Sequence, residues 1–230
     1  RLPNKPLKII NNKEMILHVY EAARNSGAGE VFVATPDQKI VKLVETFGGN
    51  AILTSSDHET GTDRVFEVFK KNLNSNPNII VNLQGDMPNI EPKAIKNLIN
   101  YMDLNKCEIG TLASDFSSDT ELADQNIVKV LVKKKMKPGM FVEAVDFIRT
   151  RPSKDHIPYH HIGIYAFTNK ALLKYVSLER SKLELERKLE QLRAMENDML
   201  VHVGCINSSP LSVDTEKDFI KIKELMKKNE

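Results

Sequence analysis

An apolar run, Asn78-Ile79-Ile80-Val81-Asn82-Leu83, stops abruptly at Gln84-Gly85-Asp86-Met87-Pro88. Such a run has the pattern of a buried parallel strand, and in open α/β sheets ligands bind just beyond the carboxyl ends of such strands. Asp86 offers hard oxygen ligands suited to Mg²⁺, Gly85 permits close backbone approach, and Gln84 carries both donor and acceptor groups. No lysine or arginine stands beside Asp86 in the sequence. That favours a metal over a local ion pair, with an Asx turn as the structural alternative. Asp214, in Ser212-Val213-Asp214-Thr215, is a second candidate metal ligand; its competing role is to cap the helix that follows.

Three further groups carry usable chemistry. Arg1-Leu2-Pro3-Asn4-Lys5-Pro6-Leu7 sets two cations, Arg1 and Lys5, in a proline-bounded loop that could grip phosphate oxygens, although taken alone a solvated surface loop is the commoner reading. Thr60-Gly61-Thr62-Asp63-Arg64 stands where a strand hands over to a helix, with Thr62 as the expected N-cap. Its hydroxyls and free N–H groups suit a nucleobase edge or a ribose, while a plain capped helix explains it equally well. His161 and Tyr165, four apart on an expected strand, share a face. In Lys188-Leu189-Glu190-Gln191-Leu192-Arg193, Leu189 and Leu192 would share one helix face, with Glu190, Gln191 and Arg193 as solvated charge by default. Amide, imidazole, phenol and carboxylate groups together suit a polyhydroxylated acid.

The elements that must position these groups follow from periodicity. Helical spacing over 15–23, a buried strand at 31–34, a helix over 37–47, a strand at 51–54, a helix over 62–73, the strand at 78–83 and a helix over 91–101 make a βα rhythm. This predicts an α/β fold with a mostly parallel sheet and helices on both faces. Strand-like segments at 109–114, 128–134 and 140–147 form a β-rich excursion. A strand at 161–168, helical patterns at 169–176 and 178–195, a strand at 199–205 and a closing helix over 215–228 complete the chain.

Composition narrows the class. The 230 residues carry a formal net charge of +2, with 41% hydrophobic and 28% charged residues, so a soluble protein with no nucleic-acid surface is expected. No apolar run is long enough to span a bilayer. Cys107 and Cys205 have no CxxC or CxxxH neighbour, which argues against a structural metal or disulfide framework and for a reducing cytoplasm. No GxGxxG follows a strand, which disfavours a dinucleotide oxidoreductase.

Taken in order, these motifs resemble those of the 3-deoxy-manno-octulosonate cytidylyltransferase (CMP-KDO synthetase) family. The match runs through Arg1–Leu7, Val33-Ala34-Thr35, Thr60–Arg64, Val81–Asp86, Val128-Lys129-Val130, His161–Tyr165, Leu189–Arg193 and Val213-Asp214-Thr215. The resemblance implies transfer of CMP from CTP to 3-deoxy-D-manno-octulosonate (KDO) for lipopolysaccharide inner-core synthesis, in a cytoplasmic homodimer that uses Mg²⁺. It implies one nucleotidyltransferase domain over 1–230, with a β-rich dimerisation and sugar-binding region inserted at about 115–165. Carried over by motif, Arg1 and Lys5 hold the triphosphate, Thr60, Gly61, Thr62, Arg64 and Gln84 the nucleotide or substrate, and Asp86 and Asp214 the Mg²⁺. His161, Tyr165, Glu190 and Gln191 line the sugar-acid pocket, with Arg149 as a carboxylate partner.

Three departures from the family pattern stand out. The family's first strand and part of its phosphate loop are expected upstream of Arg1. Met87 replaces the usual glutamate after Gln-Gly-Asp, and Asp146 and Ile148 replace the tyrosine and serine around Arg149. A cytidylyltransferase for another sugar acid, such as sialic acid, remains the rival within the class. A catalytically inactive nucleotide-binding module is the rival outside it.

Overall fold

A computed structural model describes residues 2–72, 76–153, 155–207 and 209–227. After a 3₁₀ turn at Lys5–Leu7 come β1 (Ile9–Ile10), β2 (Lys13–Glu14), α1 (Met15–Asn25), β3 (Phe32–Thr35), α2 (Gln38–Thr46), β4 (Asn50–Leu53) and α3 (Gly61–Lys71). The middle holds β5 (Ile79–Leu83), α4 (Pro92–Asn105), β6 (Ile109–Ser114), α5 (Asp119–Ala123), β7 (Lys129–Val132) and β8 (Phe141–Ile148). The chain continues through β9 (Ile157–Thr168), α6 (Asn169–Ser177), α7 (Lys182–Arg187), α8 (Leu192–Met195), β10 (Val201–Ile206) and α9 (Glu216–Lys227). Two compact units result. One contains the described residues within Arg1–Leu73, Gln84–Lys96 and Pro210–Glu230; the other contains those within Asn74–Leu83 and Asn97–Ser209. No helix among the described residues is long and apolar enough to cross a membrane.

In the first unit, β3 and β4 pair in parallel with Phe32 opposite Asn50 and Thr35 opposite Leu53. The connecting α2 starts at Asp37, whose carboxylate accepts the Lys39 N–H at 2.8 Å, as its position before an apolar-periodic run predicts. Ile40 and Val44, four apart on α2, pack with Leu17, Tyr20 and Val33. Gly49 lets the chain pass the Tyr20 ring, where an added Cβ would lie 2.8 Å from a ring carbon. A second cluster gathers Leu2, Ile10 and Met15 with Val213, Phe219 and Ile222. Hydrophobic burial thereby fixes the start and end of the chain beside each other.

The second unit is a six-stranded sheet in the order β5-β9-β6-β10-β8-β7, with β7 also pairing β9. Only β6 and β10 run parallel; β9 is antiparallel to β5, β6 and β7. The sheet is therefore mixed, which corrects the expectation of a mostly parallel one. A βα rhythm forces parallel pairing only where a helix crosses over, and no helix separates β8 from β9. All six residues of β6 are buried.

The helical expectation over 178–195 also changes. Lys188 takes φ 55° and ends α7, and α8 begins only at Leu192. Leu189 and Leu192 are both buried, but they flank a break instead of sharing one helix face. Arg193 and Gln191, expected as solvated polar groups, are buried too, at 3% and 5% exposure.

Candidate active site

In the first unit, Lys5 and the two acids meet. The Lys5 Nζ donates to Asp86 Oδ2 at 2.9 Å and to Asp214 Oδ1 at 3.0 Å. Asn4 adopts a left-handed conformation (φ 51°), one that asparagine tolerates, and Pro6 fixes the 3₁₀ turn that follows. Backbone bonds tie the three segments: Leu2 N–H to the Asp214 carbonyl, and Val213 N–H to the Asp86 carbonyl, each at 3.0 Å. The cationic partner of Asp86 thus arrives from 81 residues away, which overturns the sequence argument from a missing local cation.

Burial opposes charge on Lys5, but Asp86 first and Asp214 after it outweigh that effect and hold the ammonium pKa above its ordinary value. Two carboxylates and one ammonium leave a formal charge of −1. Asp214 is not the helix cap. The Asp218 N–H bonds to Thr215 Oγ1 at 3.2 Å, while the Thr215 N–H and hydroxyl both donate to the Asp218 carboxylate. Capping falls to Thr215 and Asp218, leaving the Asp214 carboxylate to face Lys5. Met87 is buried at 3% exposure and joins the core.

The Thr60 group opens α3. Thr60, not Thr62, is the N-cap: its Oγ1 accepts the Asp63 N–H at 3.2 Å and donates to Asp63 Oδ2 at 2.7 Å. Gly61 is the first helical residue, and Thr62 is buried. Arg64 reaches back, donating to Thr54 Oγ1 at 2.6 Å and the Ser55 carbonyl at 2.7 Å. Its guanidinium braces the segment before the helix. His58 pairs with Glu67, which also accepts the Ser55 N–H at 3.0 Å. Gln84 lies part-buried in the turn after β5. Arg1 lies outside the described residues.

In the second unit His161 and Tyr165 do share a face, their rings 5.4 Å apart, with Phe147 edge-on to His161 at 5.1 Å. His161 Nε2 lies 2.9 Å from Thr111 Oγ1. Burial, then the fields of His160 and Arg149, pushes the His161 pKa down to about 3. Burial, then Glu190 and Tyr175, raises the Tyr165 phenol well above its usual value. Tyr175 donates to the Glu190 carbonyl at 2.9 Å and lies under the Arg193 guanidinium, 4.6 Å from its ring centre. Gln191 is buried next to Glu190, and its amide nitrogen has no hydrogen-bond partner among the described residues. Arg149 donates to the Asn126 carbonyl at 2.9 Å, so its guanidinium is partly committed to the backbone.

Sequence reasoning missed several supports. Thr111 gave no signal within an apolar strand. The Glu184–Arg193 pair, at 2.7 and 2.8 Å, was foreshadowed only by Ser181-x-x-Glu184, which does form a capping box. Lys129 is wholly buried, its ammonium donating to the carbonyls of Asp124, Ile127 and Arg149.

His161 also sets an acid limit on stability. On acidification the unfolded chain protonates this imidazole near its ordinary 6.5, while the folded protein resists until about 3. Stability is therefore fullest above pH 6.5 and falls as the pH drops through that window. Denaturant midpoints from pH 7 to roughly pH 4 should decline less in His161→Gln than in wild type; parallel declines would remove His161 as the cause.

A family model described as Cytidylyltransferase matches residues 1–201. The 3-deoxy-manno-octulosonate cytidylyltransferase of Bartonella tribocorum is 38% identical over 228 residues, which are 98% of this chain and 93% of that protein. The chain belongs to the 3-deoxy-manno-octulosonate cytidylyltransferase family. Its relative of the same description from Thermodesulfovibrio yellowstonii is 41% identical over 229 residues, covering 95% of this chain and 90% of that one. A solved structure of CMP:2-keto-3-deoxy-manno-octonic acid synthetase complexed with CTP superimposes with a TM-score of 0.89 at 36% identity, covering 100% of this chain and 94% of the other. The fold is accordingly the α/β nucleotidyltransferase type, with the mixed sheet described above.

Proposed function

We propose that this protein transfers CMP from CTP to KDO, releasing pyrophosphate, in the cytoplasm and as the activating step for lipopolysaccharide inner-core synthesis. The observation that carries the chemistry is the convergence of Asp86 and Asp214 on one ammonium. Two carboxylate oxygens that share a cation at 2.9 and 3.0 Å can share another, and the residual negative charge favours a divalent one. Mg²⁺ binds through one or two carboxylates plus phosphates and water, so this two-acid donor set fits it. When bound, the metal would neutralise phosphate charge and favour loss of pyrophosphate.

The chain's own groups divide the remaining work. Lys5, on a flexible stem, can turn its ammonium from the acids to the triphosphate. Thr60, Gly61, Thr62 and Gln84 offer N–H, hydroxyl and amide groups to the nucleotide, with Arg64 holding their loop in place. Arg1 would add a second cation to the phosphates. His161, Tyr165, Glu190 and Gln191 would orient the sugar acid, with Arg149 adding positive potential. A sugar hydroxyl then attacks the α-phosphorus, its proton leaves to solvent, and the bond to the β-phosphate oxygen breaks. No protein nucleophile is needed, because phosphoryl-type transfer is driven by positioning and charge neutralisation. Free buried Cys107 and Cys205 are consistent with a reducing compartment.

Incubation with CTP, Mg²⁺ and either KDO or sialic acid, with pyrophosphate measured, should give release with KDO. Release only with sialic acid would move the substrate assignment, and release with neither would favour a non-catalytic module. We further propose a homodimer built on the β-rich region at about 115–165; light scattering on the same preparation should return a dimer mass, and a monomer mass would count against it.

A further inference from the structure

Thr111 on β6 is completely buried, and its Oγ1 meets three polar atoms: the Ile164 carbonyl at 2.7 Å, the Ile162 carbonyl at 3.3 Å and His161 Nε2 at 2.9 Å. The arrangement exists because the β6–β9 register slips. Thr111 stands opposite Tyr165, yet Leu112 stands opposite Ile162, which turns two β9 carbonyls toward one hydroxyl. A hydroxyl has one proton, and carbonyl oxygens only accept. The proton therefore goes to Ile164, the nearer carbonyl, and the hydroxyl oxygen must accept from the imidazole. His161 consequently carries its proton on Nε2. Burial keeps the ring neutral, so Nδ1 is a bare lone pair. No side chain among the described residues donates to it.

We propose that Thr111 is a positioning residue that fixes the His161 tautomer, making Nδ1 an obligatory acceptor for a hydroxyl of the bound sugar acid. A carboxylate cannot take that place, since two lone pairs would face each other in a water-poor setting. In the same unit the Gln191 amide nitrogen, a pure donor without an acceptor among the described residues, has the opposite preference and suits the carboxylate. One acceptor and one donor would thus give the substrate a single orientation. This inference rests on the sugar-acid reading of His161.

The test begins without substrate. Long-range ¹H–¹⁵N spectra, with His161 assigned by its loss in His161→Gln, should show a protonated Nε2 and a bare Nδ1 in the free protein. Saturating KDO should shift the Nδ1 resonance while the Nε2 proton stays. Thr111→Val should lose the single tautomer and raise the KM for KDO about tenfold with the KM for CTP unchanged. Thr111→Ser should restore both. A protonated Nδ1 in the free protein, or Thr111→Val with unaltered tautomer and KM, overturns the proposal. So does a protein that turns over KDO with no response at Nδ1. Absence of any turnover with KDO would instead strike the functional reading, leaving the substrate-free spectra to decide what Thr111 does.

Discussion

Asp86→Ala should abolish CMP transfer, by about a thousandfold or more, while the protein stays folded. Among the described residues no cluster of three or more metal-ligating His, Cys, Asp or Glu side chains exists, so the pair Asp86–Asp214 has no third acid to compensate. Stability should hardly change. Asp86 and Lys5 are each about a quarter exposed, and removing Asp86 leaves Lys5 its bond to Asp214, so the cost should be at most about 1 kcal/mol. Steady-state pyrophosphate release and a thermal melt, run side by side, separate the two effects. Near-normal turnover in the variant would exclude Asp86 from the reaction.

Glu184→Ala should have the largest effect on stability. Glu184 is completely buried and receives two bonds from Arg193, itself 3% exposed, plus one from Arg180 at 3.1 Å. Burial raises the Glu184 pKa, but Arg193, the Ser181 N–H and Arg180 overcome it and hold the carboxyl below its usual range. Deleting the acid removes both of its bonds to a buried guanidinium, at a cost of about 3–5 kcal/mol. For a domain of ordinary stability that is a large fraction of the total.

The damage should also reach chemistry. Arg193 stacks on Tyr175, and Tyr175 holds the Glu190 carbonyl, so the Glu190–Gln191 turn would lose its support. The double variant Glu184→Leu/Arg193→Met should recover much of the lost stability, because apolar replacements of a buried pair cost little. Denaturant unfolding of the single and double variants tests this. A loss below about 1 kcal/mol in Glu184→Ala would show that the pair is dispensable.

The Asp86 and Glu184 cases mark where local sequence stops informing. Asp86 was recognisable as functional from a strand ending in a glycine and a carboxylate, but its bond to Lys5 was not, because Lys5 is 81 positions distant. Glu184 was recognisable only as a helix-capping residue. Its acceptance of Arg193 depends on the chain turning at Lys188, and that left-handed residue interrupts a periodicity that reads as one continuous helix.

The sequence by itself determined the order of strands and helices from α1 to α4, the placement of Asp86 after a buried strand, and membership of a family through motifs dispersed along the chain. These are local properties: apolar period, turn residues and caps act within a few positions. Tertiary structure alone decided that the sheet is mixed, that Thr215 and not Asp214 caps α9, that Lys5 bridges two acids, and that the Thr111 hydroxyl meets the His161 ring. Each depends on which segments non-local burial and backbone pairing bring together. A hydroxyl, an ammonium or a carboxylate acquires its role only once its neighbours are known.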